Sequence, residues 1–453
     1  MPGAVGRPPA ATILAALARL PLVWRRSAAA AGIYLSVGFG FLASLIAARV
    51  LTKSDYGSFL LVIVVAGFFQ TLLDLTAEEA LVKYGFDYST AKDWGRLRRL
   101  FGTALVIKAA GGLLATVVLL LLAPFADSIF NHAGLEVPFL VAAALPFLQS
   151  PEGVSGAALI LRGRYDVRGA LLATSMALRL IGVAVGVQYG VTAAILGVVT
   201  AQIVATALLG AVGLVAFHRF PSGERVELGT HRRAILGFVV QSSVATGVVS
   251  LRGALSPMLL GVVTDPVQVG YFGPAQAPQQ GLDSISAPAR LILLTEQTRD
   301  WSRGAFAVVL AGVRRYMVGA ATLMAIVIPP VYIFLPQLIK ITYGEKYVSG
   351  ATTAGRLILI AGALQFILGW TKSLPVSIGR PGLRVVTHGI ESVVLIPLVL
   401  VFGSIWKVTG AGAAVLVSTL VFCAIWLVLL ERIARRAAEN APPAVAEPEA
   451  GGA

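Results

Sequence analysis

The sequence predicts an all-α polytopic membrane protein: about twelve transmembrane helices in two six-helix bundles, related by a pseudo-twofold axis along the membrane normal. Three observations carry this. First, 57% of the 453 residues are hydrophobic and 13% are charged, where a soluble chain carries about 25% charged residues. Second, apolar stretches of about 20 residues, the length a bilayer core requires, recur along the chain. Third, the chain repeats itself. Gly163-Arg164-Tyr165-Asp166-Val167-Arg168 recurs as Gly379-Arg380-Pro381-Gly382-Leu383-Arg384, each time between two apolar runs. One run later, Gly190-Val191-Thr192-Ala193-Ala194 is answered by Gly410-Ala411-Gly412-Ala413-Ala414. The turn Leu51-Thr52 with Tyr56-Gly57 is likewise answered by Val263-Thr264 with Gly270-Tyr271. Duplicated halves in a membrane protein point to a carrier built around their seam.

Residues 1–27 read as a cytoplasmic segment, because the apolar patch from Ile13 to Leu22 is short and broken by Arg19 and Pro21. The first bundle spans 28–217, with runs near 28–50, 57–82, 100–123, 137–160, 169–189 and 191–217. A polar cytoplasmic linker, 218–234, joins it to a second bundle over 235–432, with runs near 235–263, 268–293, 307–335, 351–374, 384–406 and 409–431. Residues 433–453, rich in Ala, Pro and Glu, read as a disordered cytoplasmic tail. Helix is preferred to strand because a barrel would show alternating runs of about ten residues.

The formal charge of +14 reports orientation rather than nucleic-acid binding. With both termini inside, about 28 of the 36 Lys and Arg lie in or beside cytoplasmic segments and about 5 outside. The basic residues also offer attraction to anionic lipid heads, which makes membrane lipids expected partners. Outer loops are short and offer no pair of carboxylates in a sizeable external domain, so an enzyme is not expected. No GxxxxGK[ST] cradle is present, so no ATP hydrolysis is encoded. Cys423 is a lone cysteine and the four histidines show no ligand spacing, so neither metal nor cofactor is expected. His388, deep in an apolar run, reads as a packed or hydrogen-bonded side chain.

Residues 270–288 stand out, with Pro274, Pro278 and Pro288 beside Gln276, Gln279, Gln280, Asp283, Ser284 and Ser286 in one apolar run. Proline frees carbonyls that lipid cannot satisfy, so this helix faces protein or water. Gln276 and Gln280 are therefore candidates to line a cavity and touch substrate. Arg252 lies about 11 residues from the outer end of its run, near mid-membrane, where an arginine needs an anion or water. Two readings stay open: substrate contact, or an internal pair with Asp283. Arg179 and Arg356 are similar cases; Arg49, by the outer turn, is a further candidate for substrate contact, although arginines there more often snorkel. Asp74, Glu78 and Asp283 are candidates to bind a coupling ion. For Asp74, Glu78 and Glu79 a solvated helix end is the plainer account. In the duplicated turns, Arg164, Arg168, Arg380 and Arg384 are candidates for gating or lipid-head contact.

A family resemblance rests on several of these motifs. Ala48-Arg49-Val50-Leu51-Thr52-Lys53-Ser54-Asp55-Tyr56-Gly57 resembles the opening turn of Wzx-type polysaccharide-transporter flippases, in the multidrug/oligosaccharidyl-lipid/polysaccharide exporter superfamily. Asp74-Leu75-Thr76-Ala77-Glu78-Glu79-Ala80, Val269-Gly270-Tyr271-Phe272, Tyr343-Gly344-Glu345-Lys346-Tyr347 and Gly410-Ala411-Gly412-Ala413-Ala414 are similar to later elements in the family's order. The resemblance covers about residues 28–432. It implies flipping of polyprenyl-diphosphate-linked oligosaccharide by alternating access, for cell-surface polysaccharide synthesis at a bacterial plasma membrane. Polysaccharide polymerase and glycosyltransferase partners follow from the same resemblance. The chain departs from the superfamily's cation antiporters in having no carboxylate in its first span, and from peptidoglycan-precursor flippases in lacking two further C-terminal spans. The alternatives are a small-molecule secondary transporter, either major-facilitator-like or a multidrug antiporter, and a membrane polysaccharide polymerase or glycosyltransferase.

Overall fold

A computed structural model describes the backbone of residues 10–439 apart from Asp74, Arg225, Thr230 and Pro381. Side chains are described for residues 27–435, apart from those four and residues 249, 251, 252, 287–292, 294, 295 and 302. Among the described residues the regular structure is helical throughout. In chain order the helices are α1 (Ala10–Val50), α2 (Lys53–Leu73), α3 (Ala77–Thr90), α4 (Trp94–Leu122), α5 (Ala126–Ile129), α6 (Glu136–Ala142), α7 (Leu145–Leu161) and α8 (Tyr165–Gly186). They continue with α9 (Val191–His218), α10 (His231–Val263), α11 (Pro266–Ser302), α12 (Phe306–Thr342), α13 (Val348–Ile367), α14 (Leu374–Ser377) and α15 (Gly382–Glu439).

Nine of these segments among the described residues are long and apolar enough to cross a membrane, or ten when the bent α10 is counted. α15 is two helices joined at Lys407, whose φ of 55° and ψ of −134° interrupt it. α11 is a single helix of 37 residues, prolines included, and its polar content keeps it out of the apolar set. α10 bends by 56° between Val248 and Gly253. Pro257 lies one turn on and cannot donate to the Gly253 carbonyl, which weakens the ladder at that point.

The sequence expectation of one unbroken second run, 57–82, is corrected. The helix stops at Leu73 and restarts at Ala77. Thr76 leaves the helical region, with φ −68° and ψ 50°, and its N–H donates to Ser243 Oγ of α10 at 2.9 Å. A side chain on a neighbouring helix thus takes a donor that the ladder would otherwise use. α1 runs from Ala10 through residue 27 without interruption.

The two duplicated turns fold alike. Gly163 and Gly379 both take left-handed φ, 67° and 71°, a region in which a side chain is strained. In each turn the following arginine N–H bonds back five residues, Arg164 to Leu159 O and Arg380 to Pro375 O, both at 2.8 Å. The glycine N–H bonds back three, to Ile160 O at 2.8 Å and Val376 O at 3.1 Å. This is the Schellman closure of a helix, executed twice.

Contacts divide the chain into two compact units, one reaching to Gly270 with Thr342–Gly344, the other comprising Tyr271–Ile341 and Glu345 onward. The contact boundary falls at residue 270 rather than in the polar segment 218–234, because α10 packs on α2 and α3. The first unit's core joins Leu81, Leu97, Leu100 and Phe101 to Val154, Leu159, Ile235 and Val239. The second unit's core centres on Val313, Trp370, Leu374, Phe422 and Trp426.

Candidate functional site

In the first unit, the restart of the chain at α3 aims a carboxylate inward. Glu78, in the first turn of α3, meets Lys108 of α4 at 2.9 Å, and Lys108 is only 4% exposed. Gly153 of α7 packs closely on both: a Cβ there would lie 3.2 Å from the Glu78 carboxyl and from Lys108 Cε, tighter than ordinary contact. A lysine at this depth is costly alone, so the pair accounts for both charges. Glu79 points elsewhere, accepting a bond from Ser242 Oγ of α10. Glu78 thus makes an interhelical ion pair, while Glu79 is exposed and makes an interhelical hydrogen bond.

One residue from Gly153, a second polar cluster joins α7 to α9. Gln149 Nε2 donates to Gln202 Oε1 at 2.8 Å. Gln202 Nε2 donates to Glu152 Oε1 at 2.5 Å and to Thr206 Oγ1 at 3.0 Å. Thr206 Oγ1 lies 2.9 Å from the Leu148 carbonyl and 3.2 Å from Glu152 Oε1.

α8 carries the first unit's basic stripe. Arg168 and Arg179 are 11 residues apart, close to three helical turns, so both lie on one side. Arg168 lies against Gly156 of α7. Arg179 stands 14 residues from the start of its span, Tyr165–Tyr189, or about 21 Å along the axis. Among the described residues no carboxylate lies within ion-pair distance of Arg179. It is half-buried rather than sealed. At that depth, a guanidinium of this kind is matched to an anion or to water.

Arg49 does more than snorkel. Its Nε donates to the Thr342 carbonyl at 2.7 Å, at the end of α12, where a cation complements the exposed carbonyls. Phe41 meets Tyr343 edge-on at 6.2 Å beside it. At the duplicated turns the arginines differ. Arg164 grips Asp166 through two bonds, at 3.2 and 3.3 Å, whereas Arg380 is exposed in a turn with glycine at the equivalent acid position. Arg384 is half-buried, with its Nε enclosed.

In the second unit, Gln276, Gln279 and Gln280 of α11 part company. Gln279 is buried and donates to Gln365 Oε1 at 3.0 Å, and Gln365 donates to Thr419 Oγ1 at 2.9 Å. That chain ties α11 to α13 and α15. Gln276 is half-buried and Gln280 exposed. Asp283 lies 3.4 Å from Lys372 Nζ, so a lysine of its own unit is an ion-pair partner that the sequence reading did not foresee. Arg356 donates to the Tyr332 carbonyl at 3.2 Å and stacks over that ring at 4.7 Å. His388 is packed and bonded as expected: its Nδ1 lies 3.1 Å from Glu391 Oε2 and its ring stacks on Phe422 at 4.9 Å.

Asp74, and the side chain of Arg252, lie outside the described residues. The structure thus places Glu78 and Arg179 in the first unit, and Asp283, Gln276 and Gln280 in the second. Sequence reasoning missed Lys108, Glu152 and Lys372. The signal was available for two of them, since Lys108 and Glu152 each interrupt an otherwise apolar run.

Residues 46–295 match the family described as "Polysaccharide biosynthesis protein". No curated protein matches the sequence significantly. The fold is similar to an inward-facing multidrug resistance MATE family transporter of the MOP superfamily, at TM-score 0.75 and 11% identity, over 90% of this chain and 96% of that one. It is similar to the lipid II flippase MurJ in an inward closed conformation, at TM-score 0.70 and 11% identity, over 91% and 90%. A MOP superfamily transporter from Pyrococcus furiosus matches at TM-score 0.62 and 13% identity, over 91% and 95%. With the family matched over more than half its length and the fold over nine-tenths, the chain belongs to the polysaccharide biosynthesis protein family and is a multi-pass membrane protein with the fold of the MOP transporters and flippases.

Proposed function

We propose that this protein flips polyprenyl-diphosphate-linked oligosaccharide across the bacterial plasma membrane, by alternating access of its two bundles, for cell-surface polysaccharide synthesis. The observation that carries the reading is Arg179, a half-buried arginine deep in α8 with no carboxylate within ion-pair distance among the described residues. A diphosphate is the anion that a guanidinium fork fits best, through paired N–H donors. Drug cations, the cargo of a multidrug antiporter, would be repelled from the same position. Membership of a polysaccharide biosynthesis family supports a sugar-bearing cargo, and an isoprenoid carrier supplies a lipid anchor that stays in the bilayer while the head crosses.

The test is flipping of a fluorescent polyprenyl-diphosphate oligosaccharide in proteoliposomes, read as protection of the head group from an external quencher. Arg179→Ala should slow flipping by about 10- to 100-fold, the worth of a charge-assisted bond. Arg179→Lys should keep part of the rate, as a point charge in place of a fork. A folded Arg179→Ala protein that flips at the wild-type rate would overturn the site, and no flipping by the wild type would overturn the cargo.

A further inference from the structure

Two carboxylates set among these helices are matched by cations: Glu78 has Lys108 and Asp283 has Lys372. Glu391 lies 3.1 Å from His388 Nδ1. Glu152 is different. Its hydrogen-bond partners are the neutral Gln202 and Thr206, and no Lys, Arg or His among the described residues lies within ion-pair distance of it. The charged groups near it are accounted for helix by helix. From α3 and α4 come Glu78 and Lys108, bonded to each other beside Gly153. From α8 comes Arg168, one turn away against Gly156. α9 presents only Gln202 and Thr206, and α2 has no ionisable side chain between Gly57 and Leu73.

Counting hydrogens shows what this cluster requires. Gln149 donates to Gln202 Oε1, which fixes the Gln202 amide with its nitrogen facing Glu152. The two Gln202 hydrogens go to Glu152 Oε1 and Thr206 Oγ1. Thr206 has one hydroxyl hydrogen and two acceptors in reach, and the Leu148 carbonyl at 2.9 Å is nearer than Glu152 Oε1 at 3.2 Å. With that hydrogen on Leu148, the two oxygens of Thr206 and Glu152 face each other with nothing between them. A hydroxyl has two acceptor sites, and here one takes the Gln202 hydrogen and the other is open. The contact is attractive only when the Glu152 carboxyl itself supplies the hydrogen. An ionised Glu152 would instead hold a full charge on a single assured donor, with no cation in ion-pair distance among the described residues, which is the costly arrangement.

We propose that Glu152 is a proton-binding site: it carries a proton in this conformation, bridging to Thr206 Oγ1, and releases it when α7 and α9 shift against each other. The release step rests on the carrier reading above; the bound proton does not. Its effect is to make the α7–α9 packing, and the transport cycle that moves it, responsive to pH. Because the proton belongs to the folded arrangement, the stability it confers is present at low pH and lost as pH rises through the titration of the carboxyl.

The experiment compares thermal unfolding of the purified protein and its Glu152→Gln variant between pH 5.5 and 9. Glutamine keeps the size and cannot titrate. Wild-type Tm should fall relative to that of the variant by about 1–2 °C per pH unit until the folded carboxyl titrates, and level off above that, while the variant stays level. Thr206→Val, which removes the acceptor of the bridging hydrogen, should shrink the wild-type slope and serves in place of Glu152→Gln should that variant not fold. Parallel curves would overturn the proposal. So would a sodium-dependent rise in Tm at fixed pH that Glu152→Gln abolishes, since that assigns the site to a metal cation. The readout uses no substrate: diverging curves together with failure to flip the labelled lipid would leave the proton site standing and remove the cargo.

Discussion

Lys108 shows how a single side chain can set the route of the chain. Its burial at 4% exposure is tolerable only because Glu78 is delivered to it, and Glu78 is delivered because α2 stops at Leu73 and α3 restarts at Ala77. Removing one partner strands the other, at a cost of about 3 kcal/mol or more. Lys108→Met should therefore lower Tm measurably in detergent, whereas Lys108→Met with Glu78→Met should recover most of the loss, since replacing both charges leaves neither unpaired. Equal Tm for the single and double variants would show that the pair is not what orders this region. At this scale the sequence was legible only in part. An ionisable residue inside an apolar run announces itself, but its partner does not. Asp283 and Lys372 are 89 residues apart and Glu78 and Lys108 lie on different helices, so no spacing rule connects them. Arg49 was legible as an outer-turn arginine, yet its acceptor is a carbonyl 293 residues away.

Among elements, the duplication seen in the sequence reappears as geometry. Thr52 caps α2, accepting from the Asp55 N–H at 3.1 Å, and Asp265 caps α11, accepting from the Gln268 N–H at 3.1 Å. These equivalent turns then pack on each other: a Cβ on Gly270 would lie 2.5 Å from the Lys53 carbonyl, and one on Gly57 would overlap the Pro266 carbonyl. Both contacts are with backbone, which cannot rotate aside. Gly270→Ala and Gly57→Ala should each lower Tm, and Gly237→Ala, where nothing lies within 4 Å, should leave it unchanged or raise it slightly through helix propensity. An unchanged Tm for Gly57→Ala would mean that the two turns do not meet in the working protein. The apolar runs and the Gly-Arg turns were readable because hydrophobic length and left-handed glycine are local properties. The break before Ala77 was not, because a Ser243 hydroxyl 167 residues away satisfies the Thr76 N–H there. The helix break in the second half falls at Lys407, where the sequence reading put a turn, although the matching glycine in the repeat, Gly410, lies three residues further on. Lys407 makes that break in a backbone region where glycine would be at ease.

The whole molecule must place these parts in a bilayer, and charge decides which way round. Two six-span bundles with both termini inside would put the basic turns at Arg164 and Arg380 on the cytoplasmic side and the short turns at Lys53, Asp265 and Lys407 outside. The helices agree on alternation: α8 starts at Tyr165 beside the Arg164 turn and its span ends at Tyr189, and α15 leaves the Arg380 turn and breaks at Lys407. Each Gly-Arg turn thus opens the helix that follows it, and parallel repeats would put the two turns on the same side of the membrane. In a protein with Cys423 replaced by alanine, single cysteines at Lys53, Asp265 and Lys407 should react with a membrane-impermeant maleimide in intact cells. Cysteines at Arg164 and Arg380 should react only after the membrane is opened. Labelling at Arg380 alone among the inner positions would break the parallel relation of the repeats, because it would place one Gly-Arg turn on each side. Labelling at both Arg164 and Arg380, with none at Lys407, would keep the repeats parallel and invert the protein, removing the cytoplasmic termini.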